Sequence, residues 1–269
     1  MAVVTISRGA FSGGDAIAKS LAALLNYGCI DGDELVERAA ASGAGEKDLK
    51  NALLKAPGLL DRLTHRRAMH LAALQAALAE AVAGDNVIYH GNAGHLLLRG
   101  VVPALRVLIT APLESRIAMA AERLGVSRAE AEIRIARMDE ERRKWVQFLY
   151  GEQWSDPALF DLVVNLSHAG IDEASSLIAD MARLDAFVFT PAQQTAVRNF
   201  ALANRVRVAL YLDPGTTHLE VEVWARGGTV HIRGYIGSRR GFRETERVAR
   251  QVPGVRELNL DELTVYEEY

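Results

Sequence analysis

Two rhythms of apolar and polar positions run along this chain. In the first two thirds, short apolar runs at residues 3–6, 28–30, 87–89, 106–110 and 162–165 alternate with longer stretches whose apolar residues recur every three or four positions. The runs predict strands buried on both faces, and the stretches predict helices at about 15–25, 61–83, 112–124, 127–150 and 171–184. Leu63, Leu71, Leu74, Leu78 and Val82 mark one face of the second helix, and Gly84-Asp85-Asn86 ends it. Pro112 stands at a first-turn position, and Ser127 with Glu130 forms a capping box. Between residue 32 and the second helix the chain reads as helical, with breaks near 42–45 and at Pro57-Gly58. Strands alternating with helices predict a five-stranded parallel sheet covered on both faces.

The rhythm changes after about residue 185. A helix over 191–208 precedes Leu219-Glu220-Val221-Glu222-Val223, which alternates strictly. Gly227-Gly228 then turns the chain into Thr229-Val230-His231-Ile232-Arg233-Gly234, and the pair reads as a hairpin. A helix over 240–251 stops at Pro253-Gly254, and a last strand is expected at 255–260. The expected architecture is therefore an α/β three-layer domain over residues 1–186, joined to a small α+β domain of order αββαβ over residues 187–269.

Composition narrows the possibilities. Apolar residues make up 49% of the 269 positions, enough for a sizeable core, and the net charge of -3 predicts no bulk affinity for nucleic acid. Cys29 is the only cysteine, which excludes an intrachain disulfide and a Cys-rich metal site. There is no basic-then-apolar leader and no apolar run of the ~18 residues a membrane span needs, so a soluble cytoplasmic protein is expected.

Candidate chemistry begins where the first strand ends. Ser7-Arg8-Gly9-Ala10-Phe11-Ser12-Gly13-Gly14 leads straight into a helix at Asp15, the layout of a loop whose N–H groups and helix dipole hold a phosphate. A full P-loop reads G-x-x-x-x-G-K-[ST], but Gly14 stands where its lysine would be and Ala16 falls near the expected hydroxyl. Arg8 could supply the missing cation, or serve only as a surface arginine at a strand end. Asp15 favours the helix N-terminus and would repel a phosphate there unless a metal ion lay between. Asp31 and Asp33 follow the second strand, where open α/β sheets bind ligands, although one of them is expected to cap the next helix. Arg134, Arg137, Arg142 and Arg143 share one helix and could neutralise transferring phosphate, but Asp139, Glu140 and Glu141 among them equally suit a salt-bridged surface. His65, Arg66, Arg67 and His70 read as mostly surface. Arg240, Arg243, Arg247 and Arg250 recur on one helical face, either a contact for an anionic surface or a solvated face diluted by Glu244 and Glu246. No His, Asp or Glu cluster has metal-ligand spacing.

Taken together, Thr5-Ile6-Ser7-Arg8 with Ser12-Gly13-Gly14, Ile30-Asp31-Gly32-Asp33-Glu34, Val87-Ile88-Tyr89-His90-Gly91-Asn92-Ala93, Ala111-Pro112-Leu113-Glu114-Ser115-Arg116 and Asp161-Leu162-Val163-Val164-Asn165 resemble the cytidylate kinase-like family, a branch of the P-loop nucleoside monophosphate kinases. The resemblance implies a P-loop kinase fold and phosphoryl transfer from ATP to CMP or dCMP, with Mg²⁺. It implies phosphate binding by Ser7, Ser12, Gly13, Gly14, Asp15, Asp31 and Asp33. Arg8, Arg137, Arg142 and Arg143 would be the catalytic cations, the last three as part of a lid. It also implies that the helices before Ala83 hold the monophosphate. Phe11 departs from the family where a glycine is usual, and Asn92 stands where an arginine commonly follows the glycine. A catalytically silent nucleotide-binding regulator therefore stays open beside the enzyme. The last ~65 residues resemble a BON domain, through the hairpin at Gly227-Gly228 and Val252-Pro253-Gly254-Val255, which implies a phospholipid or another ligand.

Overall fold

The computed structural model describes residues 2–54, 65–84 and 86–266. Five strands, β1 (Val3–Arg8), β2 (Gly28–Asp31), β3 (Val87–His90), β4 (Leu105–Thr110) and β5 (Leu162–Asn165), form a wholly parallel sheet in the order β2-β3-β1-β4-β5. The apolar runs are continuous because both faces are covered. Val4, Ile6, Val107, Ile109 and Val164 pack with Ile17 and Leu21 of α1 (Gly14–Leu25) and Ile178 of α8 (Ile171–Ala182). Neighbouring residues point the other way. There Leu108 packs with Leu159 and Phe160, and Leu96 of α5 (Gly94–Leu97) packs with Trp145 and Val146 of α7 (Arg128–Tyr150). Helix α6 (Leu113–Leu124) packs on α7 through Ile117, Ala120, Ala131 and Ile135. Ser127 caps α7 as expected, accepting from the Glu130 N–H at 3.2 Å.

The described residues divide into two compact units. The first carries the parallel sheet. The second takes in the chain from Leu35 to Ala52, α4 (His65–Val82) and the described chain from Pro191 onward. Helix α2 (Gly32–Ala40) thus begins in one unit and runs into the other, and α3 (Glu46–Leu54) follows it. The earlier part of the helix expected over 61–83, and Pro57-Gly58, lie outside the described residues. His70, expected at the surface, is buried in α4.

In the second unit, α9 (Pro191–Leu212) has two buried faces. Leu202, Ala203, Val206 and Leu210 join the core of a mixed sheet, made of β6 (Val221–Arg226), β7 (Thr229–Ile236), β8 (Glu257–Asn259) and β9 (Leu263–Val265) with α10 (Arg239–Gln251). Val197, Ala201, Asn204 and Val208 repeat at helical spacing, are buried and stand outside that core, while α9 packs along the Ala-rich α4. Small side chains such as Ala72, Ala73, Ala76 and Ala77 on α4 keep that helix surface low. Where one last strand was expected there are two. The Asp261 N–H donates to Asn259 Oδ1 at 3.2 Å, a local turn that competes with the ladder and separates β8 from β9. Of the four arginines expected on one face of α10, two are committed to neighbours, Arg247 to Glu244 and Asp213 and Arg250 to Glu246. Among the described residues no helix is long and apolar enough to cross a membrane.

The packing of α4 on α9 yields a test. Residues 1–186 expressed alone would strip α4 of its helical partner, so we expect a broad, weakly cooperative melt that sharpens when residues 187–269 are co-expressed. Equal melts with and without the second fragment would show that α4 does not need α9.

Candidate functional site

Sequence order reverses across β1, which lies between β3 and β4, and ligands of open parallel sheets bind outside the carboxyl ends of strands at such a point. The loop from Gly9 to Gly13 leaves β1 there. Its shape is held by hydrogen bonds from the Gly9 N–H to Ile109 O (3.2 Å), from the Ser12 N–H to Gly9 O (3.2 Å) and from Ser12 Oγ to Ile109 O (3.1 Å). Gly13 has φ 88, which strains any residue with a side chain, and a Cβ would press on Leu166 Cδ1 at 3.0 Å. Phe11 has φ 58, the left-handed region that favours glycine. Its ring packs instead on the α6–α7 cluster. Among the described residues, none accepts a hydrogen bond from the N–H of Gly13, Gly14 or Asp15, the orphan donors of a helix start that suit an anion.

Arg8 lies across the loop. A Cβ at Gly14 would come within 2.5 Å of Arg8 Cδ, so the glycine at the usual lysine position is the space through which this arginine passes. Arg8 Nη2 then reaches Asp15 Oδ1 at 2.6 Å. His90 Nδ1 stands 3.4 Å from the same oxygen, and Arg123 Nη1 stands 3.1 Å from Oδ2. Three cations thus converge on one carboxylate. The neighbouring His90 ring is the largest cause holding Asp15 well below the usual carboxylate range; burial opposes it, and Arg8 and Arg123 add to it. Burial disfavours the charged His90 ring, but the nearby Asp15 and Cys29 outweigh that and raise it to about 9.

A second carboxylate serves the loop from the other side. Asp139 of α7 accepts the Ala10 N–H at 3.0 Å and pairs with Arg142 at 3.2 Å and with Arg116. Arg116 Nε also donates to Ala10 O at 2.7 Å, and Arg142 Nε donates to Asn92 Oδ1 at 3.0 Å. Arg142 is deeply enclosed, and burial lowers its pKa to about 10 against the pull of Asp139. Asn92 Nδ2 in turn donates to Leu53 O at 3.2 Å. Asn92 therefore serves as a bracket for Arg142.

The structure brings together Arg8, Asp15, Gly13, Gly14, Ser12 and Arg142. The others stand apart. Ser7 Oγ is buried and hydrogen-bonded to His95 Nδ1 at 3.0 Å, so Ser7 and Ser12 spend their hydroxyls on bracing the loop. Asp31 caps α2, accepting the Glu34 N–H at 2.9 Å, and Asp33 is exposed in the first turn of α2. Arg143 pairs with Glu140 at 2.7 Å and Arg134 with Glu130 on the exposed side of α7, and Arg137 is exposed. His90, Arg116, Arg123 and Asp139 were not among the expected site residues. His90 ends β3, so the strand-end rule that selected Asp31 applies to it equally. Nothing in local spacing marks Asp139, which lies 129 residues from its partner Ala10.

Two histidines with opposite shifts predict a stability optimum. His90 is raised in the folded state, so its contribution is complete below about pH 6.5 and is lost as pH rises through about 9. Burial lowers His95 to about 4, so its contribution is complete above about pH 6.5 and is lost as pH falls toward 4. We expect the melting temperature to peak near pH 6.5, with H90Q flattening the alkaline limb and H95N the acid limb. A profile unchanged by either substitution would contradict the assignment.

The comparisons with known proteins agree with this geometry. The family model described as Cytidylate kinase-like family matches residues 3–168. The cytidylate kinase of Ignicoccus hospitalis is 30% identical over 187 residues, covering 67% of this chain and 99% of that enzyme. The cytidylate kinase of Thermococcus kodakarensis is 29% identical over 99 residues, 37% of this chain, and the match spans only 50% of that enzyme's length. An uncharacterized protein from Eubacterium ventriosum of known structure aligns with a TM-score of 0.53 at 17% identity, over 67% of this chain and 98% of its own, a likeness of fold alone. The family match covers the loop, His90 and both carboxylate clusters, and more than half of the sequence: this chain belongs to the cytidylate kinase-like family.

Proposed function

We propose that the chain is an ATP-dependent nucleoside monophosphate kinase of cytidylate type, with CMP or dCMP as acceptor. The observation that carries this reading is the path of Arg8 over Gly14, which brings a guanidinium to the loop in place of the P-loop lysine. Phosphoryl transfer asks a protein mainly for positioning and for charge on the transferring oxygens. In the proposed step an acceptor phosphate oxygen attacks the γ-phosphorus of ATP, the bond to the bridging oxygen breaks, and ADP leaves with that electron pair. The N–H groups of Gly13, Gly14 and Asp15 would bind phosphate oxygens, while Arg8 and Arg142 would meet the spread charge. The family implies ATP and usually Mg²⁺. The residues present do not suit an ion held by the protein: Ala16 has no hydroxyl, Asp15 is engaged by three cations, and among the described residues no three His, Cys, Asp or Glu side chains could hold a metal.

The second reading, a nucleotide-binding regulator without turnover, is favoured by Asp139. Its carboxylate takes the Ala10 N–H that a phosphate would otherwise use. A coupled kinase assay over CMP, dCMP, UMP and AMP separates the two. We expect turnover with a cytidine monophosphate, and losses in kcat of about 10²–10³ for R8A and for R142A, the usual cost of one stabilising donor. We expect G14K to lower activity, because its side chain would collide with Arg8. Nucleotide-dependent thermal stabilisation without turnover would replace the kinase by the regulator.

We read the mixed-sheet module as BON-like, with an anionic ligand met by Arg240 and Arg243, since Arg247 and Arg250 are committed to carboxylates. Basic residues near an anionic membrane contribute about 1 kcal/mol each. The full chain should float with phosphatidylserine vesicles at low salt, and the double variant R240A/R243A should not. Equal recovery with neutral vesicles would remove lipid charge as the cause.

A further inference from the structure

The loop in this chain lacks the usual magnesium-holding groups at two positions. In P-loop proteins Mg²⁺ is held by the loop Ser or Thr and by a Walker-B aspartate. Here the residue near the hydroxyl position is Ala16, and the end of β3, paired with β1 at Ile6 and His90, carries a histidine. Only one carboxylate lies at the start of α1, and it is Asp15. Its two oxygens are already met by Arg8, His90 and Arg123 at 2.6, 3.4 and 3.1 Å. A divalent ion on Asp15 would have to approach through those three cations, which repel it. Three cations around one carboxylate also leave the cluster net positive, beside N–H donors that have no protein acceptor.

From this arrangement we infer that the loop binds nucleoside polyphosphate in its metal-free form, with Arg8, His90 and Arg123 giving the charge neutralisation that Mg²⁺ gives elsewhere. Asp15 is then the resident counter-ion of the empty site, and an arriving phosphate competes with it for the same cations. From β2, Asp31 is the register partner of His90, and Cys29 is a second titratable neighbour of its ring. The inference rests on the proposed nucleotide reading and extends it to the ionic form of the ligand.

The test is calorimetric titration of the full chain with ATP and with ADP, in excess EDTA and in excess Mg²⁺. We expect affinities in the two conditions to differ by less than about tenfold. D15N, which removes the competitor, should tighten binding in EDTA. H90Q should weaken it by about tenfold, the scale of one charge-assisted hydrogen bond. A gain of more than about tenfold on adding Mg²⁺ would overturn the inference and leave the nucleotide reading standing, and its loss in D15N would identify Asp15 as a metal ligand. Weaker binding by D15N in EDTA, or H90Q binding as the wild type does, would also overturn it. No binding in either condition would instead bring down the nucleotide reading, and this inference with it.

Discussion

A loop built to hold phosphate concentrates positive charge, and the protein must remain folded when no phosphate is there. That constraint organises the first unit. Two carboxylates meet it, Asp15 from the start of α1 and Asp139 from α7. Each collects cations: Arg8, His90 and Arg123, from three separate elements, around the former, and Arg116 of α6 with Arg142 of α7 itself around the latter. Charges as enclosed as Arg116 and Arg142 are tolerable only when paired and hydrogen-bonded, and the two clusters together link β1, β3, α1, α6 and α7. The loop between them is held from below by Ser12, which ties it to β4.

The rest of the parallel sheet serves that meeting point. Five short strands end at the same edge, and the order β2-β3-β1-β4-β5 places the loop where flanking strands diverge. The alternation of side chains along β1 divides its tasks. Val4 and Ile6 enter the core with α1 and α8, whereas Ser7 points to the other layer and meets His95. A buried neutral imidazole there gives the loop's base a polar contact without adding charge.

Much of this was legible in the sequence, because strands buried on two faces and amphipathic helices leave strong local patterns. All five parallel strands and the hairpin at Gly227-Gly228 stand where apolar periodicity puts them. The cation over the loop could be anticipated from Arg8, since Gly14 stands where the lysine would be. What could not be read was which carboxylate meets which cation. Arg134, Arg142 and Arg143 look alike along α7, yet only Arg142 turns to Asn92 and Asp139, because the helix's rotation is set by Trp145 and Val146 packing on α5. Asp139, which along the sequence reads as diluting the basic helix face, is that helix's anchor to Ala10. The division into units was equally hidden, because the contact of α4 with α9 joins segments more than a hundred residues apart.

Phe11 has a consequence of its own. A phenylalanine held at φ 58 carries backbone strain of about 1–3 kcal/mol, and what holds it there is the packing of its ring on Ile117, Ala131 and Ile135. Glycine at this position would let the loop keep its curve whatever the neighbouring helices did. With phenylalanine, the curvature of the loop and the closeness of α6 and α7 become a single mechanical variable. Drawing those helices away would relax the backbone toward its ordinary basin and flatten the cradle. In this chain the grip on an anion is therefore a property of helix packing as much as of the loop.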